Sequence, residues 1–203
     1  MVGIVNYGIG NLASVQNAIL KLGGKVRIES NPAELKNYDR LILPGVGAFG
    51  EAMENLEKSG MKESILEFAK NGKPLLGICL GMQLLFQKSY EFGEHLGLGL
   101  IEGEIIKFDK KLLKKDEKIP HMGWNLVYKT QNSPLTKDLE ENFYLYFVHS
   151  YYLGDFKNAI GISHYGVDFA ALVQKDNLFG IQPHPEKSHN IGLKILENFL
   201  KFS

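Results

Sequence analysis

An α/β fold, with a mostly parallel central sheet covered by helices on both faces, is what this 203-residue sequence predicts. Three observations carry that expectation. The first half alternates short apolar runs with stretches of helical periodicity, the pattern of parallel strands joined by helical crossovers. The second half is a series of short strand-like segments separated by turn residues, which suggests antiparallel strands added to the same sheet. No repeat, low-complexity tract or linker interrupts the chain, so residues 1–203 are expected to form one domain, a length well within the single-domain range.

Taken in order, "VGIVN" (Val2 to Asn6) reads as a buried strand. Asn11 is placed to cap the next segment, where Leu12, Val15, Ile19 and Leu22 share one helical face. "KVRIES" alternates as a second strand, and "DRLILPG" reads as a third, buried one. Helical pattern runs from Phe49, breaks at Gly60 and resumes near Lys62 to Lys70. "KPLLGIC" is a fourth buried strand entering directly on "LGMQLLFQ", which reads as a helix. Further on, "LGLIEGEIIKF", "NLVYKT", "FYLYFVHSYYL", "AIGISHY", "AALVQKD" and "LFGIQ" are strand candidates. The lysine-rich "DKKLLKKDEK" is a solvated loop. From Lys187 to Phe202 a helix returns, with Ile191, Ile195 and Phe199 on one face.

Charge and cysteine content exclude some functions. With 23 basic and 23 acidic residues the chain lacks the positive excess that phosphate backbones attract, so nucleic acid is not expected as a ligand. A single cysteine rules out an internal disulfide and fits a reducing cytoplasm. "MVGIVNYGIGNL" has no basic segment ahead of its apolar residues, unlike a signal peptide, and no apolar run is long enough to span a bilayer.

That cysteine, Cys79, stands in "GICLG" at a strand-to-helix junction. Gly-x-Cys-x-Gly is the thiol counterpart of the Gly-x-Ser-x-Gly nucleophile elbow. The sharp turn strains the nucleophile's backbone and leaves no room for side chains two residues either side, hence Gly77 and Gly81. A helix N-terminus would also favour a thiolate. A buried thiol that merely packs behind the strand explains the pentapeptide equally well. A nucleophilic cysteine needs a base, and the base an orienter. Of six histidines, His184 in "FGIQPHPEKS" stands out, because Glu186 follows two residues on and Pro183 and Pro185 favour an extended segment. An ordinary strand-to-helix turn accounts for "HPE" taken alone. "LPGVGAFG" (Leu43 to Gly50) is a glycine-rich turn after a buried strand, on the same sheet edge as the elbow. Gly45 and Gly47 permit an inward-pointing N–H, and the backbone N–H groups of Gly47 and Leu80 are the candidate oxyanion donors. The loop lacks the lysine and hydroxyl of a P-loop.

Together, "LPGVGAFGEAM", "GKPLLGICLGMQLLF", "PHMGWN", "YFVHSYY" and "HPEKS" resemble the class I, triad-type glutamine amidotransferases, and more narrowly the glutaminase subunits of imidazole glycerol phosphate synthases. The resemblance spans nearly the whole chain and implies a flavodoxin-like sandwich that needs no cofactor or metal. It implies Cys79 as nucleophile, His184 as proton shuttle and Glu186 as its orienter. Gly45, Gln83 and the segment His149, Ser150 and Tyr151 would hold glutamine, and Gly47 would stabilise the oxyanion. It also implies a heterodimer with a (β/α)8-barrel cyclase that receives the ammonia, docked through Asn11, Trp124, Tyr146 and Lys187. Read singly, Trp124 and Tyr146 are better explained as core aromatics. Two positions depart from the family pattern: Asn6, where an acid is more usual, and Pro183, where an aromatic is. A related role, feeding ammonia to a different synthase such as one in surface-sugar biosynthesis, fits the same motifs. Other cysteine hydrolases of this fold and a non-catalytic subunit fit less of them.

Overall fold

The protein is described by a computed structural model over residues 1–202. The first half builds β1 (Val2–Val5), α1 (Leu12–Lys21), β2 (Val26–Glu29), β3 (Arg40–Gly45), α2 (Phe49–Lys58), α3 (Met61–Lys70), β4 (Leu75–Cys79) and α4 (Leu80–Leu84). The second half adds β5 (Lys88–Ser89), β6 (His95–Leu96), β7 (Glu104–Lys107), β8 (His121–Lys129), β9 (Asn142–His149), β10 (Tyr151–Leu153), β11 (Ala159–Tyr165), β12 (Val167–Lys175), β13 (Leu178–Ile181) and α5 (His189–Lys201).

The large sheet has the order β2-β1-β3-β4-β13-β12-β11-β8-β9. It is parallel from β2 through β13 and antiparallel from there to β9. Strand β13 joins the halves, parallel to β4 and antiparallel to β12. The chain leaves β1 in one direction for β2 and returns in the other for β3, which makes a topological switch point; ligands in such sheets bind beyond the carboxyl ends of the strands.

Side-chain alternation divides the core between the two faces. In β3, Leu41 and Leu43 pack with Phe49, Leu56, Ile65 and Phe68 of α2 and α3, whereas Ile42 points to the opposite face. There it meets Ile4, Leu76 and Ile78, with Val15 and Ile19 of α1 and Ile195 and Phe199 of α5 above them. Burying each such side chain contributes about 1.5–3 kcal/mol. Because both faces are covered, the inner parallel strands β1, β3, β4 and β13 are nearly continuous apolar runs, while the edge strand β2 alternates.

The structure departs from the sequence expectation in four places. Helix α4 stops at Leu84 rather than continuing to Gln87. The next carbonyls are taken by an incoming loop: Leu98 N donates to Leu84 O, Leu100 N to Leu85 O and Gly99 N to Phe86 O. Segment 142–153 is two strands broken at Ser150, with β9 in the large sheet and β10 in a second sheet of order β10-β7-β5-β6. The segment around "EIIK" also belongs to that second sheet, so not every later strand extends the first. Asn11 occupies the N-cap position of α1, but its side chain makes no capping hydrogen bond. Among the described residues no helix is long and apolar enough to cross a membrane.

Candidate active site

Cys79 ends β4 with φ 54° and ψ −113°, a strained conformation for a residue with a side chain. The two flanking glycines make the turn possible. A Cβ on Gly77 would lie 2.5 Å from the Gly81 carbonyl oxygen, and one on Gly81 would lie 1.8 Å from Leu43 O of β3. The crowding at Gly81 therefore comes from the neighbouring strand β3, and that at Gly77 from the turn itself. Gly45 serves the same closeness. A Cβ there would meet Tyr7 Oη, Gly81 N and Leu80 Cβ, so Gly45 packs behind the elbow and is not on the cavity wall where glutamine binding would need it. Since α4 is a single short turn, the dipole support expected for a thiolate reduces to the free N–H groups of that turn.

The histidine segment follows β13. His184 N donates to Tyr146 O (2.9 Å), Ser188 Oγ donates to His184 O (2.6 Å), and Tyr146 N donates to Ser188 Oγ (2.9 Å), so the segment is fastened to the β9 backbone. His184 is extended (φ −99°, ψ 98°), but Pro185–Lys187 forms a 3₁₀ turn. The turn, rather than strand alternation, brings Glu186 back to the imidazole. His184 Nδ1 lies 2.9 Å from Glu186 Oε1, and the side chains are 3% and 1% exposed. A carboxylate accepts only, so Nδ1 carries the proton and Nε2 is the nitrogen left for chemistry. Nε2 has no hydrogen-bond partner among the described residues. Burial works against a charged His184, but charge interactions with Cys79 and Glu186 and the Nδ1 hydrogen bond to Glu186 outweigh it and raise the pKa to about 10.

Cys79 and His184 share a cavity of about 280 Å³ with Val46, Gly47, Leu80, Gln83, Glu91, His149, Ser150 and Tyr151. That is just under the roughly 300 Å³ at which drug-sized pockets begin, so it suits one small substrate. All the sequence-predicted glutamine contacts except Gly45 line it, as do both candidate oxyanion donors. Gly47 has φ 93° and open space where a Cβ would be, so its glycine is needed for conformation rather than room. Glu186 lies behind His184, outside this cavity.

Three polar groups of the site escaped the sequence reading. Gln182 is fully buried and its Nε2 lies 3.8 Å from Cys79 Sγ, while its Oε1 accepts from Gln83 Nε2 at 2.9 Å. Gln83 Nε2 also donates to Tyr151 O (3.0 Å), so only its Oε1 remains for a ligand. Glu91 brings a carboxylate to the wall, with Oε2 accepting from Phe49 N at the start of α2 (2.7 Å). His121 reaches the site through His149 at 3.0 Å. Gln182 was legible in principle, standing two residues before His184 at the end of an apolar strand; Glu91 and His121 carried no local signal.

Of the expected docking residues, Trp124 and Tyr146 lie side by side on β8 and β9. Trp124 is 46% exposed, which overturns its reading as a core aromatic, and Tyr146 is half-buried beside it. Trp124 stacks on His189 (5.0 Å, 3°) and meets Tyr146 edge-on (6.0 Å). Lys187 lines a groove with His189 and residues of α1, the helix that Asn11 begins. Asn6 bonds only its surroundings, Ser30 Oγ and Gly8 N, and does not touch the site.

A strained thiol elbow, a buried histidine–glutamate pair and a small cavity with polar groups on its wall are the parts that amide hydrolysis by a cysteine requires. The chain belongs to the glutamine amidotransferase class-I family, which it matches over residues 3–202. It is 64% identical over 201 residues to the imidazole glycerol phosphate synthase subunit HisH of Wolinella succinogenes, covering 98% of each chain. To the protein of the same name from Sulfurimonas denitrificans it is 58% identical, covering 100% of this chain and 98% of that one. Its fold is shared with the structure of PurLQS from Thermotoga maritima (TM-score 0.75, 22% identity, covering 98% of this chain and 96% of that one).

Proposed function

We propose that this chain is the glutamine-hydrolysing subunit of an imidazole glycerol phosphate synthase, acting in histidine biosynthesis as one cytoplasmic domain over residues 1–203. The observation that carries the chemistry is His184, held by Glu186 through Nδ1 and free at Nε2, on the wall of the cavity that contains Cys79. Its raised pKa means that His184 already holds the proton on Nε2 as Sγ attacks the side-chain amide carbon of glutamine. The oxyanion is met by the N–H groups of Gly47 and Leu80. His184 then passes its proton to the amide nitrogen, the C–N bond breaks, and ammonia leaves a γ-glutamyl thioester. Water, deprotonated by His184, attacks that thioester, and glutamate departs as the thiol is restored. Gln83, Glu91 and the His149–Tyr151 backbone hold the substrate; Glu91 suits its α-ammonium group.

The pathway assignment is supported by the full-length identity to the HisH subunits. On this reading the ammonia passes to a (β/α)8-barrel cyclase, which makes imidazole glycerol phosphate and aminoimidazole carboxamide ribotide. The cyclase docks on the exposed aromatic face of Trp124 and Tyr146, with Lys187 and Asn11 beside it. The test is glutamate release by Cys79→Ala with the cyclase and its acceptor present. Activity that survived would overturn the mechanism. Ammonia supplied directly should still support the cyclase in that complex.

A further inference from the structure

We propose that His121 and His149 form a one-directional hydrogen-bond relay from Asn125 to the Tyr151 carbonyl, and that His121 is thereby a positioning residue for glutamine binding. The proposal rests on the glutaminase reading of the cavity, because Tyr151 and His149 form part of its wall.

Both ends of the relay fix its direction. At one end Tyr151 O accepts only, so His149 Nδ1, 2.8 Å away, must carry a proton. At the other end Asn125 Oδ1 accepts from Leu126 N (2.8 Å) and Nδ2 donates to His164 O (2.8 Å), which settles the orientation of the amide. Its remaining N–H therefore points to His121 Nε2 at 3.2 Å, and that nitrogen must be bare. Burial keeps both imidazoles neutral, lowering their pKa values to about 4 for His121 and about 3 for His149. A neutral His121 with a bare Nε2 has its proton on Nδ1, which donates to His149 Nε2 at 3.0 Å. The assignments from the two ends agree at the centre.

The far end explains why this matters for the reaction. Tyr151 O accepts from His149 and from Gln83, so both its lone pairs are engaged. Gln83 continues to Gln182, and Gln182 to Cys79 Sγ. His121 is also stacked between Phe147 (4.9 Å, 25°) and Tyr165 (4.1 Å, 22°). Phenylalanine would satisfy that stack without the desolvation that a buried imidazole costs. The hydrogen bonds are what phenylalanine would lack.

Two variants separate these contributions. His121→Phe keeps the stack and removes the relay, whereas His121→Gln loses the stack but can accept from Asn125 and donate to His149. In the assembled synthase His121→Phe should raise the KM for glutamine about tenfold, and His121→Gln should return it to within about threefold of the parent. A phenylalanine variant that matches or outperforms the glutamine variant would reduce His121 to packing and overturn the proposal. Independently of turnover, ¹⁵N spectra of the histidine-labelled full chain at pH 7 should show both rings neutral with the proton on Nδ1. An Nε2–H form or a charged ring at either position would also overturn it. Because the spectra need no catalysis, they stand even if Cys79→Ala refutes the glutaminase mechanism.

Discussion

The parallel and antiparallel halves of the large sheet supply the site in different ways. The parallel half contributes strained backbone: Cys79 at φ 54°, Gly77 and Gly81 in near contact with neighbouring main chain, and Gly47 at φ 93°. The antiparallel half contributes polar side chains in strand geometry, with buried His121 and half-buried Asn125 on β8 and buried His149 ending β9. Strain restricts residue type at fixed spacing, so it leaves motifs such as "GICLG". A hydrogen-bond network restricts only partners brought together by register, such as His121 opposite His149.

This contrast can be broken at several points. Cys79→Ala should lower glutaminase activity by about 10⁴–10⁶-fold with circular dichroism and thermal midpoint unchanged, since the thiol is chemical rather than structural. Gly81→Ala tests the strain directly. Its Cβ cannot fit 1.8 Å from Leu43 O, so about 3 kcal/mol of unfolding free energy should be lost in urea titration. Loss below 1 kcal/mol would mean that β3 yields easily and that the glycine is not required by packing.

Trp124→Ala examines the other half, where exposure predicts little change in the stability of the free chain. Calorimetric titration with the cyclase should instead show binding weakened by about 2 kcal/mol, the scale of an aromatic hot spot. Unchanged affinity would remove Trp124 from the interface.

The smallest effects distinguish the halves by the sign of their pH dependence. His184 has a folded pKa near 10, above its unfolded value near 6.5. Its contribution is complete below pH 6.5 and disappears as pH rises to about 10. His121 and His149 have depressed values, near 4 and 3, so the unfolded chain takes up protons first as pH falls below 6.5. Their effect is a loss of stability on the acid side, at most about 1.4 kcal/mol per pH unit per histidine. Denaturant unfolding should show Glu186→Gln altering the alkaline limb and His121→Phe flattening the acid limb. If the two variants changed the same limb, the electrostatic separation of the two regions would be wrong.

Much of the architecture was legible because the inner parallel strands are buried on both faces and read as nearly unbroken apolar runs. The elbow at Cys79 and the nearness of Glu186 to His184 were legible as local patterns, although a 3₁₀ turn and not an extended segment makes the latter contact. The length of α4 was not, since its end is set by loop 97–101 capturing carbonyls from a distance. The exposure of Trp124 was not, because an aromatic in an alternating strand suits either face until the sheet's edge is known. Glu91 and His121 depend on a contact 42 residues apart or on a relay through a second strand, which no short window of sequence contains.

The position of β13 also governs when the enzyme is assembled. This strand is formed by residues 178–181 yet lies between β4 and β12, near the middle of the sheet. During synthesis the thiol emerges about a hundred residues before its base, and the edge of β4 has no neighbour on that side until β13 arrives. Closing so long a loop is a slow, late event. A chain that has not yet gained residues 178–186 thus has Cys79 without the His184–Glu186 pair beside it. Insertion of β13 closes the gap in the sheet and brings His184 to the cavity of Cys79 in one step.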